Sequence, residues 1–355
     1  MDKYKTDSHK LMYHIKRVND WSEGKIIYPI YMEVSPSRAC NHRCTFCGLD
    51  FMSYKPKFLD KNILIERLNE LGRLGVKSIM YAGEGEPLLH KDIIDIILNT
   101  KNAGIDVALT TNGVLLNKEI VDKTLSSITW IKASIDAGTK ETYSKIHRTK
   151  SDNFKRVLDN LQYAVKVRND NNYKTTIGAQ FVLLTENHLE ITLLAQKLKD
   201  IGVDYLIIKP YSQHLLSNNT SYKNIKYNNF LHLSDTLKKF NDDKFNLIFR
   251  SETIKTHDEE NHIYKKCLAL PFWSYIDSEG KVWGCSCYLN NEKFYYGNIN
   301  EESFESIWKG EQRKTSLEFV NTKLNTSQCR VNCRMDKINN YLWNLKHPIE
   351  HVNFI

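Results

Sequence analysis

The stretch YPIYMEVSPSRACNHRCTFCGLDF, residues 28–51, runs from a β-rich segment into three cysteines within eight positions. No further cysteine occurs until Cys267. A CxxxCxxC loop can place three thiolates around one face of a cubane iron–sulfur cluster, leaving one iron without a protein ligand. Structural zinc would need a fourth ligand, and His42 is the only local candidate, so zinc stays an alternative. Phe46 and the glycine-rich GEGEP loop at 83–87, where a backbone can approach a ligand closely, favour the cluster.

Outward from this loop, β-rich segments alternate with helical ones between residues 30 and 208. Asp60 can cap a helix that Gly75 can end, and SDNFKRVLDNLQYAVKVR and the run from Leu189 to Gly202 have helical periodicity. Because parallel neighbours need crossover connections, these repeats predict an α/β fold with a parallel sheet covered by helices. Six strands are predicted, namely YPIYMEVS, VKSIMYAG, DVALTTNG, WIKASIDA, TIGAQFVLL and DYLIIKP.

Polar motifs follow the predicted strands at their carboxyl ends, where a parallel sheet gathers its chemistry. One rim should therefore carry nearly every candidate site residue. In strand order these are Cys40, Cys44 and Cys47; Gly83 to Pro87; Thr110 to Gly113, including Asn112; Ser134 and Asp136; Gln180 within the fifth strand; and Lys209, Tyr211 and His214. A lysine and a histidine suit a phosphate or carboxylate, whereas Gln180 is equally compatible with a hydrogen-bonded core position.

Composition and charge restrict the partners. The chain has 355 residues, 41% of them hydrophobic, and a net charge of +8 from 50 basic and 42 acidic residues scattered along its length. No stripe of arginines interleaved with aromatics occurs, so the sequence does not favour nucleic-acid binding. No run approaches the roughly 18 apolar residues of a membrane span, and we expect a cytoplasmic protein. In a reducing cytosol, eight cysteines in two groups indicate metal ligands rather than disulfides.

The CxxxCxxC loop after the first strand and the GEGEP loop after the second resemble the radical S-adenosylmethionine (SAM) superfamily, over roughly residues 28–215. The resemblance implies a partial (β/α)6 TIM-like barrel in which Cys40, Cys44 and Cys47 hold a 4Fe–4S cluster with an open iron that SAM chelates. Glu84 replaces the second glycine of the family's GGEP loop. The resemblance implies that Phe46 contacts the adenine of SAM and that the backbone of Gly83, Glu84, Gly85 and Glu86 contacts its amino group. Ser134 and Asp136 would contact the ribose or carboxylate, and Arg148 would pair with the carboxylate. Asn112, on the same rim, is a further candidate SAM-binding residue.

The same resemblance implies the reaction type. One electron from the reduced cluster cleaves SAM to methionine and a 5′-deoxyadenosyl radical, which takes hydrogen from an unactivated substrate carbon. The cofactor carries the chemistry, while the protein orients the reactants and excludes water. A flavodoxin or a ferredoxin is the expected reductant.

A second group of cysteines lies near the C-terminus. Cys267 precedes a predicted β-hairpin, FWSYIDSEGKVWGCSC, which turns at Ser278 to Gly280 and presents Cys285. The CX12GX4C opening and the GNI and IW segments resemble the auxiliary-cluster extensions called SPASM and twitch domains. The full SPASM pattern has seven cysteines, whereas five occur here, so we expect one auxiliary 4Fe–4S cluster; a zinc knuckle is the alternative. The expected ligands are Cys267, Cys285, Cys329 and Cys333, and Cys287 is a substitute ligand, a nearby thiol or a residue without a role.

Four segments are expected along the chain. They are an N-terminal extension (1–27), the radical SAM barrel (28–215), a linker (216–262) with one helix near Tyr227 to Phe240 and the strand FNLIFR, and the SPASM/twitch domain with a tail (263–355). We also expect His42 to face solvent, and Trp283 and Trp308 to lie in the core of the small domain.

These features favour an oxidoreductase. A fully ligated auxiliary cluster can accept an electron from a substrate radical, which favours a two-electron dehydrogenation of a small polar molecule such as a sugar, sugar nucleotide or aminocyclitol. No catalytic residue is assigned; the candidate substrate residues are Gln180, Lys209, Tyr211 and His214. One alternative is a SPASM-type maturase that crosslinks or epimerises a precursor peptide, although 27 residues before the barrel are few for a peptide-recognition domain. The other is a non-catalytic iron–sulfur or zinc scaffold protein.

Overall fold

A computed structural model describes residues 4, 5, 8–259 and 262–354. Parts of the predicted segments therefore lie outside the described residues: 1–3, 6 and 7 of the N-terminal extension, 260 and 261 of the linker, and 355 of the tail. The strands of the described ranges are β1 (Tyr31–Val34), β2 (Ser78–Tyr81), β3 (Asp106–Thr111), β4 (Ile128–Ser134), β5 (Thr176–Leu183), β6 (Tyr205–Pro210), β7 (Asn246–Phe249), β8 (Trp273–Ile276), β9 (Lys281–Trp283) and β10 (Tyr295–Asn298).

Helices follow most of these strands. The α-helices are α1 (Ile15–Ser22), α2 (Lys61–Arg73), α3 (Ile93–Asn102), α4 (Lys118–Thr124), α5 (Lys140–His147), α6 (Asp152–Asp170), α7 (Ile191–Ile201), α8 (Leu233–Lys238), α9 (Ser251–Glu259), α10 (Phe304–Lys309), α11 (Glu311–Thr322) and α12 (Asp336–Lys346). Short 3₁₀ helices cover Leu11–Tyr13, Asp50–Met52, Pro87–Leu89, Leu125–Ser127, His188–Glu190, Tyr227–Phe230, Leu270–Phe272, Ser286–Tyr288, Glu292–Phe294 and Thr326–Gln328.

The strands form one open sheet in the order β10-β9-β8-β1-β2-β3-β4-β5-β6-β7. Strands β1 to β7 run parallel to their neighbours, and β8 adds to β1, also in parallel. The hairpin strands β9 and β10 are antiparallel. Because β7 and β10 are the two edges, the sheet does not close, and the predicted partial barrel is confirmed.

The helix start and the helix ends that were predicted from the sequence are found in the structure. The Asp60 carboxylate accepts hydrogen bonds from the backbone N–H of Asn62 at 2.8 Å and of Ile63 at 3.1 Å, which caps α2. Gly75 follows that helix with a φ of +85°, and Gly202 ends α7 with a φ of +87°. Such left-handed positions strain any residue with a Cβ, so glycine ends both helices at low cost.

The C-terminal part packs against the barrel as an extension of its sheet. Glu70 of α2 accepts hydrogen bonds from the N–H groups of Phe304 and Glu305, at 3.0 and 2.8 Å, and so caps α10. The Trp308 indole N–H donates to the carbonyl of Ile27 at 2.7 Å. Trp283 belongs to a C-terminal cluster, as predicted, but Trp308 lies in the cluster that contains the barrel core. The prediction for Trp308 is wrong because α10 is fixed against α2.

Within the described ranges, every helix is too short or too polar to cross a bilayer.

Candidate functional site

The three cysteines of the first loop lie together after β1. Cys40, Cys44 and Cys47 are half-buried free thiols, and the N–H of Cys47 donates to the carbonyl of Cys44 at 3.1 Å. Burial raises the pKa of Cys40 to about 12, and burial with the charges of Cys47 and Cys40 raises the pKa of Cys44. Thiolates so close in a protein interior need a cation to offset their charge, so this donor set fits a bound iron–sulfur cluster.

Two histidines lie against this loop. His42 is only 1% exposed, so the prediction that it faces solvent is wrong: its ring packs 5.2 Å from that of His147 and 5.9 Å from that of Tyr143. His147 Nδ1 lies 3.0 Å from Cys44 Sγ. Ligand atoms of His42, Cys44 and His147 all lie within 4.8 Å of one another. Burial lowers the pKa of His42 to about 4 and that of His147 to about 3, so both rings are neutral near pH 7.

The sequence did not single out His147, although it directly precedes Arg148 in KIHRTK. The only signal was a histidine beside a residue already assigned to SAM. With His147 in place, the zinc alternative gains a second nitrogen ligand near Cys44.

The GEGEP loop packs directly on the cysteine loop. Gly83 has a φ of +116°, and a Cβ on Gly85 would lie 2.2 Å from the carbonyl oxygen of Ala39. The N–H of Glu86 donates to that carbonyl at 2.8 Å. Both glycines are therefore required by geometry, one by its backbone angle and one by the close approach. An ammonium group, being a donor, would use the carbonyl oxygens of this loop.

Glu84, the departure from GGEP, has a partner of its own. Its buried carboxylate accepts hydrogen bonds from the Arg38 guanidinium at 3.3 Å and from the N–H of Ser278 at 3.0 Å. Arg38 also pairs with Glu279 at 2.9 Å. The Glu84 side chain thus connects the second loop of the barrel to the turn between β8 and β9, and only its backbone remains for the predicted contact with SAM.

Glu86 and Asn112 connect three of the rim loops. The Glu86 carboxylate accepts from Thr111 Oγ1 at 2.6 Å, from the N–H of Asn112 at 2.7 Å and from that of Leu88 at 3.1 Å. Burial raises its pKa, and these hydrogen bonds oppose the rise. Asn112 Nδ2 in turn donates to Asn41 Oδ1 at 2.6 Å, inside the cysteine loop. Both side chains hold loops in position.

Ser134 and Asp136 diverge at the end of β4. Ser134 is half-buried, and its hydroxyl accepts from Gln180 Nε2 at 3.4 Å, so the structure brings these two predicted residues together. Asp136 is fully buried with a φ of +59°, and its Oδ1 accepts from the N–H of Val182 at 2.6 Å. Burial raises the pKa of Asp136 to about 7. The carboxylate therefore fixes the end of β4 to β5.

Arg148 lies beside an open groove. It is exposed, follows α5 with a φ of +47°, and lines a groove of about 820 Å³ together with Asn41, Asn153 and Arg156. The Phe46 ring meets that of His147 edge to face at 5.5 Å. This groove adjoins the cysteine loop through Asn41 and is large enough for a small-molecule ligand.

The loop after β6 lies between the two cysteine groups. His214 is buried, stacks on Phe51 at 4.8 Å and has Nε2 3.2 Å from the carbonyl oxygen of Ser286. Tyr211 is buried, and its hydroxyl donates to Gln213 at 3.3 Å. The side chains of His214 and Tyr211 are therefore held by contacts within the protein. The half-buried Lys209 takes no part in these stacking and hydrogen-bond contacts.

The C-terminal thiols form the second group. Cys287 contacts the thiols of both Cys285 and Cys333, and these hydrogen bonds lower its pKa well below the usual thiol range. The Cys267 thiol accepts from Asn339 Nδ2 at 3.6 Å, and Cys329 Sγ lies 3.3 Å from the Tyr288 hydroxyl. Cys287 therefore lies between two of the predicted ligands, and five thiols are available for an auxiliary cluster.

Comparisons with known families agree with this arrangement. Residues 34–207 match the radical SAM superfamily, and residues 267–334 match SPASM, an iron–sulfur cluster-binding domain. The first match covers the strands from the end of β1 into β6, and the second contains all five C-terminal cysteines.

Individual relatives are more distant. A probable GTP 3′,8-cyclase of Saccharolobus islandicus is 27% identical over 174 residues, which are 49% of this chain and 54% of that protein. The chain thus spans about half the length of such relatives. A tungsten-containing aldehyde ferredoxin oxidoreductase cofactor-modifying protein of Pyrococcus furiosus is 21% identical, covering 82% of this chain and 83% of that protein.

Two solved structures share the fold. Streptococcus suis SuiB has a TM-score of 0.64 at 18% identity, covering 85% of this chain and 70% of that chain. The AdoMet-bound protein anSMEcpe has a TM-score of 0.61 at 17% identity, covering 90% of this chain and 95% of that one.

Proposed function

Because the chain belongs to the radical SAM superfamily and carries a C-terminal SPASM domain, we propose that it oxidises a small polar substrate by two electrons. The proposed substrate is a sugar, a sugar nucleotide or an aminocyclitol. The radical SAM domain binds SAM and a 4Fe–4S cluster, and the SPASM domain binds auxiliary iron–sulfur clusters. The observation that carries the proposal is the second thiol group, which can hold a cluster with protein ligands at every iron.

Cys40, Cys44 and Cys47 would hold the first cluster, and the loop from Gly83 to Glu86 with Arg148 would bind SAM. When bound, this pair supplies a carbon radical that can take hydrogen from an unactivated carbon of the substrate. The residues of the chain hold the rim loops around this site in position. Glu86 joins the second and third rim loops, so that neither can move independently of the other.

The inner face of the sheet supports a polar substrate. Gln180 and Ser134 form a hydrogen-bonded pair there, and Glu33 of β1 forms an ion pair with Arg334 of the C-terminal part. Polar side chains placed on this face can also hydrogen-bond a polar substrate, whereas an apolar substrate would leave them unmatched. Glu33 was visible in the sequence as a charged residue inside an apolar strand, although it was not singled out.

The loop after β6 supports electron transfer between the two sites. His214 touches Phe51 near the first cysteine loop and Ser286 between Cys285 and Cys287. A substrate that lies under this loop would be near both thiol groups, so an auxiliary cluster could accept an electron from it. A flavodoxin or ferredoxin remains our proposed source of the first electron.

A peptide substrate is the second candidate. Structures of SuiB with the precursor peptide SuiA and of anSMEcpe with a peptide share this fold. The likeness extends over most of this chain, including the C-terminal part. The GTP 3′,8-cyclase relatives are named for a nucleotide instead, which favours a small molecule.

Product analysis tests the proposal. Anaerobically reconstituted protein with dithionite and SAM should release 5′-deoxyadenosine, and Cys44→Ala should release none. With sugar, sugar-nucleotide or aminocyclitol substrates, the product should lack two hydrogens. Cys333→Ala should still release 5′-deoxyadenosine but form much less product. A modified peptide and unaltered small molecules would establish the second candidate, and stoichiometric zinc without SAM cleavage would establish a scaffold.

A further inference from the structure

Two lysines project from the inner face of the barrel sheet. On β4, Ile131 belongs to the hydrophobic core beneath the helices, so its neighbour Lys132 points to the opposite face. On β6, Leu206 and Ile208 belong to the same core, and Lys209 points away from it. Both lysines keep part of their surface accessible although protein surrounds them.

One strand separates the two lysines. Lys132 pairs with Gly178 of β5, and Lys209 pairs with Val182 of the same strand. Gln180 lies between these two positions on the same face as the lysines, because side chains two apart on a strand share a face. Lys132 and Lys209 therefore flank Gln180 diagonally, and a small ligand on that face can reach all three.

The surroundings of the lysines are predominantly cationic. Burial, followed by Arg334 and Arg250, lowers the pKa of Lys132 to about 8. Burial, followed by Lys132, Arg250 and Arg330, holds the pKa of Lys209 well below its usual range. Lys132 Nζ also lies over the Trp130 ring, 5.5 Å from its centroid. The charge of Lys132 still acts on Lys209 as a like charge, and an anion bound between the two side chains would relieve that repulsion.

The facing carboxylates do not neutralise the pair. Glu33 already forms an ion pair with Arg334. Asp136 faces both lysines, but its oxygen accepts from the N–H of Val182, and burial raises its pKa. Neither Lys132 nor Lys209 forms an ion pair with any carboxylate in the part of the chain that the structure describes.

We propose that Lys132 and Lys209 bind a phosphate group of the substrate on the inner face of the barrel. This inference rests on the proposed function and narrows the substrate to a phosphorylated small molecule, such as a sugar phosphate or sugar nucleotide. A phosphate monoester carries about −1.5 to −2 charges at pH 7 and can neutralise two lysines, whereas one carboxylate would leave one of them unmatched. Gln180 can donate a further hydrogen bond to the same oxyanion.

Calorimetric titration of the reconstituted, SAM-loaded protein tests the inference. Glucose 1-phosphate, glucuronate and glucose are the probes, because they share a hexose ring and differ in the charged group. Glucose 1-phosphate should bind more tightly than the other two. Lys132→Gln and Lys209→Gln should each weaken its binding by about tenfold, since each removes one charge-assisted hydrogen bond. Lys174→Gln makes the same charge change at an exposed position before β5 and should leave the affinity unchanged.

The outcomes separate this inference from the proposed function. Equal affinities in wild type and both variants, tighter binding of glucuronate, or no binding of glucose 1-phosphate would overturn the phosphate site. Lys132→Arg and Lys209→Arg keep the charge and should retain affinity within a few-fold, which excludes misfolding as the cause of a loss. Release of 5′-deoxyadenosine measures SAM cleavage independently of the titration. Its absence would contradict the proposed function, whereas the affinity for glucose 1-phosphate would still test the phosphate site at the two lysines.

Discussion

The Sγ atom of Cys44 lies 3.0 Å from Nδ1 of His147, and Nε2 of the same ring donates to the carbonyl of Ile135 at 2.8 Å. A carbonyl can only accept, so Nε2 carries the proton and Nδ1 of this neutral ring is an acceptor. The imidazole thus connects the middle cysteine of the first loop to the end of β4.

This relationship distinguishes a cluster from zinc. If three thiolates hold the cluster, His147→Gln should keep the iron of the first site, because an iron-bound thiolate and the acceptor Nδ1 form no hydrogen bond with each other. The rate of SAM cleavage should fall by a few-fold to about tenfold, because the hydrogen bond from Nε2 to Ile135 that packs the ring against the cysteine loop is lost. Iron analysis and 5′-deoxyadenosine release measure the two effects. His232→Gln, on an exposed ring, is the control. Loss of stoichiometric zinc from His147→Gln, with no iron in wild type, would contradict the account.

Glu84 should contribute to stability. Glu84→Ala leaves the Arg38 guanidinium and the N–H of Ser278 without this buried acceptor, so we expect the free energy of unfolding to fall by about 1–3 kcal/mol. Glu84→Gly, which restores the GGEP pattern, should lose at least as much, because it also adds backbone freedom. Urea unfolding under anaerobic conditions measures both.

The control for this prediction is Glu119→Ala. Glu119 forms an exposed ion pair with Lys123 at 2.8 Å, and solvent screens such helix pairs so that they contribute little to stability. A loss from Glu84→Ala no larger than that of Glu119→Ala would show that the contact between the barrel loop and the β8–β9 turn contributes little.

Five C-terminal thiols are available for the four ligand positions of one auxiliary cluster, so the iron content of single variants can show which thiols bind it. Because Cys287 contacts Cys285 and Cys333, we expect Cys287→Ala to lower the iron content from about eight towards about four per chain. Cys329→Ala is the matched variant. Loss of the auxiliary cluster from Cys329→Ala with full iron in Cys287→Ala would instead support the ligand set predicted from the sequence.

Lys132 should lower the stability of the protein at neutral pH. Its folded pKa of about 8 is below the ordinary value of 10.5, so the folded state binds this proton less tightly than the unfolded state does. The cost is fully present below pH 8 and disappears as the pH rises towards 10.5. Lys132→Met should therefore raise the free energy of unfolding at pH 7, by on the order of 3 kcal/mol.

Thermal unfolding of the reconstituted protein at several pH values measures this effect. The difference in midpoint between Lys132→Met and wild type should be positive at pH 7 and smaller at pH 9.5. Lys174→Met is the control and should show no such trend. A variant less stable than wild type at pH 7 would mean that the Lys132 ammonium is well compensated within the fold.

Much of the fold could be predicted from local patterns. The six predicted strands are β1 to β6, and the Asp60 cap and the helix ends at Gly75 and Gly202 follow from local propensities. The β8–β9 hairpin also turns where predicted, with Gly280 at a φ of +83°. Periodicity and turn chemistry are encoded over a few residues, so one sequence suffices for them.

Contacts between residues far apart in the chain could not be predicted from these local patterns. The addition of β8 to β1, the partner of Glu84 at Ser278 and the burial of His42 against His147 all join residues far apart in the chain. The candidate SAM residues are assembled along one rim, yet Glu86 and Asp136 direct their carboxylates to the backbone. Spacing shows which residues follow a strand, but it does not show where their side chains point.

Electron paramagnetic resonance of the reduced, anaerobic protein tests the central claim most directly. If Cys40, Cys44 and Cys47 hold the first cluster, as we propose, one of its irons would be free to bind SAM. Adding SAM should then change the spectrum of this cluster, and 5′-deoxyadenosine should follow. Cys333→Ala should retain this response, because its change is confined to the second thiol group. A spectrum from the fully reconstituted protein that SAM leaves unaltered, with no 5′-deoxyadenosine formed, would contradict the account.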